Sequence, residues 1–303
     1  MTIVPATRFR AMGTDIEVLA YPELSSHVAD QVEARFLEVD RALSRFRPES
    51  ELTRLNRSGG RPFRASALLN EVLSGALAAA RRANGMFDPT LLRAVEAAGY
   101  RESFEHLDGE VTASAPQLGG GYREVETRED GTIVLYNGVK VDLGGYAKGW
   151  TVDTCGEILS GCEAWVVNAG GDLLAHGRGP TGEGWLVGIE DPFDASRDIG
   201  VIQISDCAVA TSSRVRRRWT TQNGPAHHVI DPRTRRPAET GLASVSVLAR
   251  SAVEAEVLAK TLFLLGPREG AAYVESRAVA GAVFVRDDGS EVWTEGARRV
   301  RVA

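Results

Sequence analysis

No stretch of this 303-residue sequence approaches the roughly 18 uninterrupted apolar residues that a membrane-spanning helix requires. The opening residues, MTIVPATRFRAMGTD, hold neither an apolar core nor a small-residue cleavage site, so the expected location is the cytoplasm, with no membrane partner. Cysteine is scarce. Cys155, Cys162 and Cys207 are odd in number and lack CxxC spacing, which excludes a disulfide framework or a cysteine zinc site and leaves buried, reduced thiols. Internal repeats, low-complexity tracts and Pro/Gly/Ser linkers are absent, so no boundary divides the chain, and one domain over residues 1–303 is expected. Positive charge is also in deficit. A net charge of −6 argues against a nucleic-acid partner, although Arg214, Arg216, Arg217, Arg218, Arg233, Arg235 and Arg236 crowd one region. That cluster reads either as a solvated basic face or as a lining for a phosphate-bearing ligand.

What is present is a globular composition, 43% hydrophobic and 25% charged, enough to bury a large core. Thr14 to Tyr21 alternates as a strand does, and Ser25 or Ser26 can cap a helix through VADQVEARFLEVDRALSRF. A second helix is expected from about Ala65 to Ala83. Asn137-Gly138 lies between two β-rich runs and predicts a hairpin, because both residues tolerate positive φ. The glycine-rich VDLGGYAKG then leads into a helix ending by Gly161. The C-terminal half reads as many short strands with few helices: AWVVNAGG, WLVGIE, GVIQIS, AVATS, HHVID, ASVSVLA, AGAVFVR and SEVWTEG. The expected class is therefore α+β with a largely antiparallel or mixed sheet.

Four constellations could carry chemistry. Gly144-Gly145-Tyr146-Ala147-Lys148-Gly149 stands between strand and helix, where free N–H groups favour an anion, although it is neither a Walker A sequence nor GxGxxG and could be only a tight connection. Asn168-Ala169-Gly170-Gly171-Asp172 can shape a ligand loop or merely a turn. His227-His228-Val229-Ile230-Asp231 brings an imidazole near a carboxylate that could orient it for proton transfer, or packs as ordinary polar residues. The best-defined helix runs from Ser251, with Glu254 completing a capping box, to the stop signal Gly266-Pro267. At about 100° per residue, Val253, Val257, Thr261, Leu264 and Leu265 form its apolar stripe, with Glu256 and Lys260 on the margin, where the plain reading is an exposed i,i+4 pair. Tyr146 and Trp150 read as core residues.

In this order, the segments Met12-Gly13-Thr14, DRALSRFRPESELTRLN, Gly85-Met86-Phe87-Asp88-Pro89-Thr90, VDLGGYAKGWTVD, VVNAGGDL, AVATSS, HHVIDP and AEVLAKTLFLLG resemble the FAD:protein FMN transferases, the ApbE-like flavin transferases. The resemblance implies a T-fold-related arrangement of mixed α/β layers with FAD in a cleft. The implied reaction passes FMN from FAD to a Ser or Thr of a target protein and releases AMP. By matching position it assigns Met12, Phe46, Met86, Phe87, Asp88, Gly145, Lys148, His228, Ile230, Asp231, Glu256 and Lys260 to FAD, with His228 as the proton-transfer residue.

The family's magnesium site, a backbone carbonyl of the glycine turn with an Asp and a Thr four residues apart, maps to Gly145, Glu256 and Lys260. An ammonium offers no lone pair to a metal, so Lys260 is expected to replace the ion and leave only a vestigial site. A typical Thr-Gly-x-Pro turn is here Thr234-Arg235-Arg236-Pro237, and TSG is Thr211-Ser212-Ser213. The expectation is thus an FAD-binding protein that sequesters, stores or delivers the cofactor to cytosolic flavoproteins, with magnesium-dependent transfer impaired. The alternatives are an active FMN transferase and, below both, an FAD pyrophosphatase.

Overall fold

Thr14–Tyr21 is a strand antiparallel to Ala6–Ala11, and the two residues between them, Met12 and Gly13, have φ of 53° and 69°. Two consecutive positive φ angles give the tight turn whose twist matches that of paired strands. The computed structural model describes residues 6–21, 23–107, 109–115, 120–277 and 279–302. They fall into two compact units. The first is assembled from the chain up to Glu38, from Lys148–Ser213 and from Thr240 onward; the second comprises Val39–Ala147 and Arg214–Glu239.

The first unit is built on an eight-stranded sheet with the order Ala6–Ala11, Thr14–Tyr21, Ala164–Ala169, Asp172–His176, Cys207–Ser213, Leu242–Ala249, Gly281–Arg286, Glu291–Trp293. Every neighbouring pair is antiparallel, as the α+β expectation requires. Both faces are covered. Trp165, Val167 and Ala169 pack with Phe36, Val152 and Leu159 from two helices, while Ala164 and Val166 pack with Trp185, Ile189, Ile202 and Ile204 of a separate hairpin. Burial on both faces explains why AWVV reads as an unbroken apolar run instead of alternating.

Two helices of this unit meet near their first turns. Ala147–Ile158 starts at the glycine-rich turn, and Ala252–Ser276 starts at Ser251, whose hydroxyl accepts the Glu254 N–H at 3.2 Å. Gly266, at φ 79°, interrupts the second helix, and Pro267 begins the next turn. The expected stop is thus a break after which the helix resumes, since proline is tolerated in a first helical turn. Asp153 accepts the N–H groups of Ala252 and Val253 at 2.7 and 3.0 Å. No helix among the described residues is long and apolar enough to cross a membrane.

In the second unit the expected helix near Ala65 to Ala83 is Ala67–Arg82, capped by the Ser66 hydroxyl. A core of Leu91, Val95, Tyr100, Trp219 and Ile230 supports its irregular segments. The hairpin expected at Asn137-Gly138 does not form. Both residues take positive φ, 51° and 68°, but Thr132–Leu135 pairs with Phe63–Arg64 and Val125–Thr127. The run after the turn finds other partners: Asn56 binds the Val141 backbone at 2.7 and 2.8 Å, and Pro89 accepts from the Asp142 N–H at 2.8 Å. Local turn chemistry was satisfied while pairing was decided by distant segments.

Candidate functional site

The first unit gathers four charged side chains from two stretches of sequence, with Lys148 and Glu256 108 positions apart. Lys148 lies in the first turn of Ala147–Ile158, Glu256 and Lys260 are one turn apart on Ala252–Ser276, and Asp172 begins a strand. Lys148 Nζ donates to Asp172 Oδ2 and, at 3.0 Å, to Glu256 Oε1. Lys260 Nζ donates to the same Glu256 oxygen at 3.3 Å, while Glu256 Oε2 accepts the Gly149 N–H at 3.0 Å. Glu256 is only 1% exposed, so the margin expected for it is in fact core. The exposed surface-pair reading of Glu256 and Lys260 is thereby replaced by a buried network.

Helix packing creates this arrangement. A Cβ on Gly149 would stand 2.8 Å from the Ala252 carbonyl, so glycine permits the two helices to meet with backbones nearly touching. The caps are then exchanged: Glu256 satisfies an N–H at the start of one helix, and Asp153 satisfies two at the start of the other. Burial opposes the charge of Lys148, but Asp172 and Glu256 outweigh it and hold the ammonium above its usual range. Burial likewise opposes ionisation of Glu256, yet Lys148, Lys260 and the Gly149 N–H lower its pKa from 4.5 to about 2.

Asp172 was visible in the sequence only as part of a glycine motif. Gly170 and Gly171, at φ 65° and 97°, make a two-residue turn that pairs Ala169 with Asp172. The motif is therefore a hairpin turn that also delivers a carboxylate to Lys148, and its other oxygen accepts from the Thr211 N–H at 3.4 Å. Met12 belongs to this unit too, with its sulfur 3.9 Å from the Thr151 hydroxyl.

The remaining expected residues belong to the second unit. Phe46 is 37% exposed, and the Arg45 guanidinium lies 4.0 Å from its ring centroid and 4.5 Å from that of Tyr100. Sequence reading passed over Arg45, whose side chain is 6% exposed and ion-pairs Asp142 at 3.2 Å. Asp142 also accepts from the Gly144 N–H at 2.8 Å, shaping the turn that contains Gly145. Met86 is half-buried beside buried Phe87, whose ring is 6.3 Å from Tyr146. Asp88 accepts from the Thr90 N–H and hydroxyl at 2.8 and 2.6 Å and from the Tyr122 N–H at 3.2 Å.

Ile230 is buried. Asp231 is engaged by an arginine: its oxygens accept from the Arg233 N–H at 2.8 Å and from its guanidinium at 2.7 Å. Burial pushes the Asp231 pKa up, but these bonds prevail and lower it. His228 is half-buried with Nδ1 3.5 Å from the Arg217 carbonyl, whereas His227 Nε2 is 3.0 Å from the Ala238 carbonyl. Arg235 takes φ 58° where the family turn has glycine, and its guanidinium binds the Gly120 carbonyl. The cysteines are free; burial raises Cys155 to about 12 and Cys207 to about 11, so both remain protonated thiols.

A divalent metal finds a poor fit in the four-charge cluster. Three donors already engage Glu256, and two of them are ammonium groups on the oxygen a metal would need. Among the described residues no group of three or more His, Cys, Asp or Glu is arranged to hold an ion.

The fold has known counterparts. The ApbE protein of Thermotoga maritima superposes with a TM-score of 0.88 at 26% identity, covering 99% of this chain and 100% of that one. The flavin transferase ApbE of Vibrio cholerae gives 0.81 at 27% identity, with coverage of 98% and 100%. In sequence, the FAD:protein FMN transferase of Vibrio cholerae is 30% identical over 291 residues, 91% of this chain and 86% of that protein. Its Salmonella typhimurium counterpart is 25% identical over 298 residues, 95% and 84% of the two chains. A family model described as the ApbE family matches residues 12–284, nearly the whole length, and the chain belongs to that family.

Proposed function

We propose that this protein is an FAD:protein FMN transferase acting on a cytosolic flavoprotein. The match of the ApbE family model along residues 12–284 supports this above the storage role that the sequence alone favoured. In this reaction the hydroxyl oxygen of an acceptor Ser or Thr attacks the FMN-side phosphorus of FAD. The pyrophosphate bond breaks, AMP leaves, and the hydroxyl proton passes to His228. The half-buried His228 imidazole, with Nδ1 3.5 Å from the Arg217 carbonyl, is the group proposed to take it. Phe46 offers a partly open ring to a planar group, and Lys148 offers positive charge to the diphosphate. Met12, Met86, Phe87, Asp88, Gly145, Ile230 and Asp231 complete the nucleotide's surroundings in this reading.

A second reading is favoured by the two ammonium groups on Glu256 Oε1: FAD is bound and kept intact, with Lys260 standing in for magnesium, for storage or delivery. One experiment separates the two. The purified protein is incubated with FAD and cytosolic flavoproteins, with and without magnesium, and nucleotides and intact protein masses are followed. Transfer yields AMP together with an FMN-sized mass gain on an acceptor. AMP and FMN without a mass gain indicate hydrolysis, and intact bound FAD in every condition establishes the second reading.

A further inference from the structure

We infer that this chain binds the diphosphate of its dinucleotide without a divalent metal, on the ammonium groups of Lys148 and Lys260 that share the Glu256 carboxylate; the inference rests on the reading of FAD as the ligand. A metal would need Glu256 lone pairs aimed at it in near-octahedral geometry. Both lone pairs of Oε1 face ammonium groups, Lys148 at 3.0 Å and Lys260 at 3.3 Å, and Oε2 accepts the Gly149 N–H at 3.0 Å. Asp172 offers no substitute, since it is engaged by Lys148 and by the Thr211 N–H. A dication at this position would also face both ammonium groups at close range, and little water is present around a carboxylate 1% exposed to screen the repulsion.

The same features suit an anion. The Lys148 and Lys260 side chains are 14% and 24% exposed, so each retains an accessible edge although Glu256 between them is covered. Lys260 has three N–H donors, and its bonds to Glu256 are long, 3.3 Å to the carboxylate and 3.5 Å to the backbone carbonyl. Turning one donor to a phosphate oxygen sacrifices little. Glu256 meanwhile fixes both cations and caps the helix that begins at Ala147, so it acts as a positioning residue.

The test titrates the protein with FAD by flavin fluorescence and with inorganic pyrophosphate by calorimetry, each in EDTA and in magnesium. Expected are affinities that change less than three-fold with magnesium, and at least a ten-fold loss for both ligands in Lys260→Met at an unchanged melting temperature. Lys260→Arg should retain most of the affinity. A Glu256→Asp, Lys260→Thr double variant should bind FAD with a magnesium response of three-fold or more. A magnesium response of that size in the wild type, wild-type affinity in Lys260→Met, or no binding of either ligand in EDTA overturns the inference. If FAD fails to bind while pyrophosphate binds without metal and weakens in Lys260→Met, the flavin reading falls and the metal-free anchor stands.

Discussion

The two units use the same pairing of basic and acidic side chains to different ends. In the first, Glu256 is 2% exposed along its side chain and shared by two ammonium groups, so losing the carboxylate uncovers charge in the core, whereas losing Lys260 leaves it still paired with Lys148. In the second, Asp231 pairs with an Arg233 that is 58% exposed, and water can replace the arginine at small cost. Arg45 stands between these extremes, buried itself but paired with an Asp142 that is 23% exposed. The difference teaches that an ion pair weighs most when both of its members are buried, more than when its distance is short.

Substitution can break this ordering. Glu256→Ala should have the largest effect, a loss of about 3–5 kcal/mol in urea unfolding, because it takes the shared carboxylate from Lys148 and Lys260 and leaves the Gly149 N–H uncapped. A loss below about 1 kcal/mol would mean that water reaches the cluster. The second effect is an acid limb. Since Glu256 has its pKa lowered from 4.5 to about 2, its contribution is full above 4.5 and disappears as pH falls through that window. Stability measured against pH should show this limb in the wild type and lose it in Glu256→Gln. Lys148 has the opposite sign: its raised pKa gives stability that persists below 10.5 and declines only as pH rises beyond it.

Arg45→Met comes next, at about 2 kcal/mol, from the lost contacts to the Phe46 and Tyr100 rings and the abandoned Asp142. Denaturant midpoints compare it directly with Glu256→Ala. Arg233→Ala should change stability least, by less than ~1 kcal/mol, and that small loss should shrink further in high salt. Equal costs for Arg233→Ala and Arg45→Met would remove burial as the deciding variable.

Much of the fold was legible because local signals agreed with their surroundings. Ser251 caps the helix it was expected to cap, and the apolar runs of the C-terminal half became strands. The strand Asp172–His176 escaped notice because DLLAH is too short and mixed to carry a period. The Asn137-Gly138 hairpin failed for a related reason. A turn dipeptide specifies φ, whereas strand partners are chosen by whatever lies alongside, here Phe63–Arg64 and Val125–Thr127.

The sequence by itself determined the family, through ordered motifs from Met12-Gly13-Thr14 to AEVLAKTLFLLG, and it singled out Glu256 and Lys260. It also placed the two one helical turn apart. Only the tertiary structure decided what they are. A helical wheel assigns faces but not neighbours, so nothing local could reveal that the margin of Ala252–Ser276 meets the start of Ala147–Ile158 at Gly149, or that a hairpin turn supplies Asp172. Whether a Glu-Lys pair is a surface ornament or a buried anchor depends on long-range packing, because desolvation, not spacing, sets its electrostatic strength.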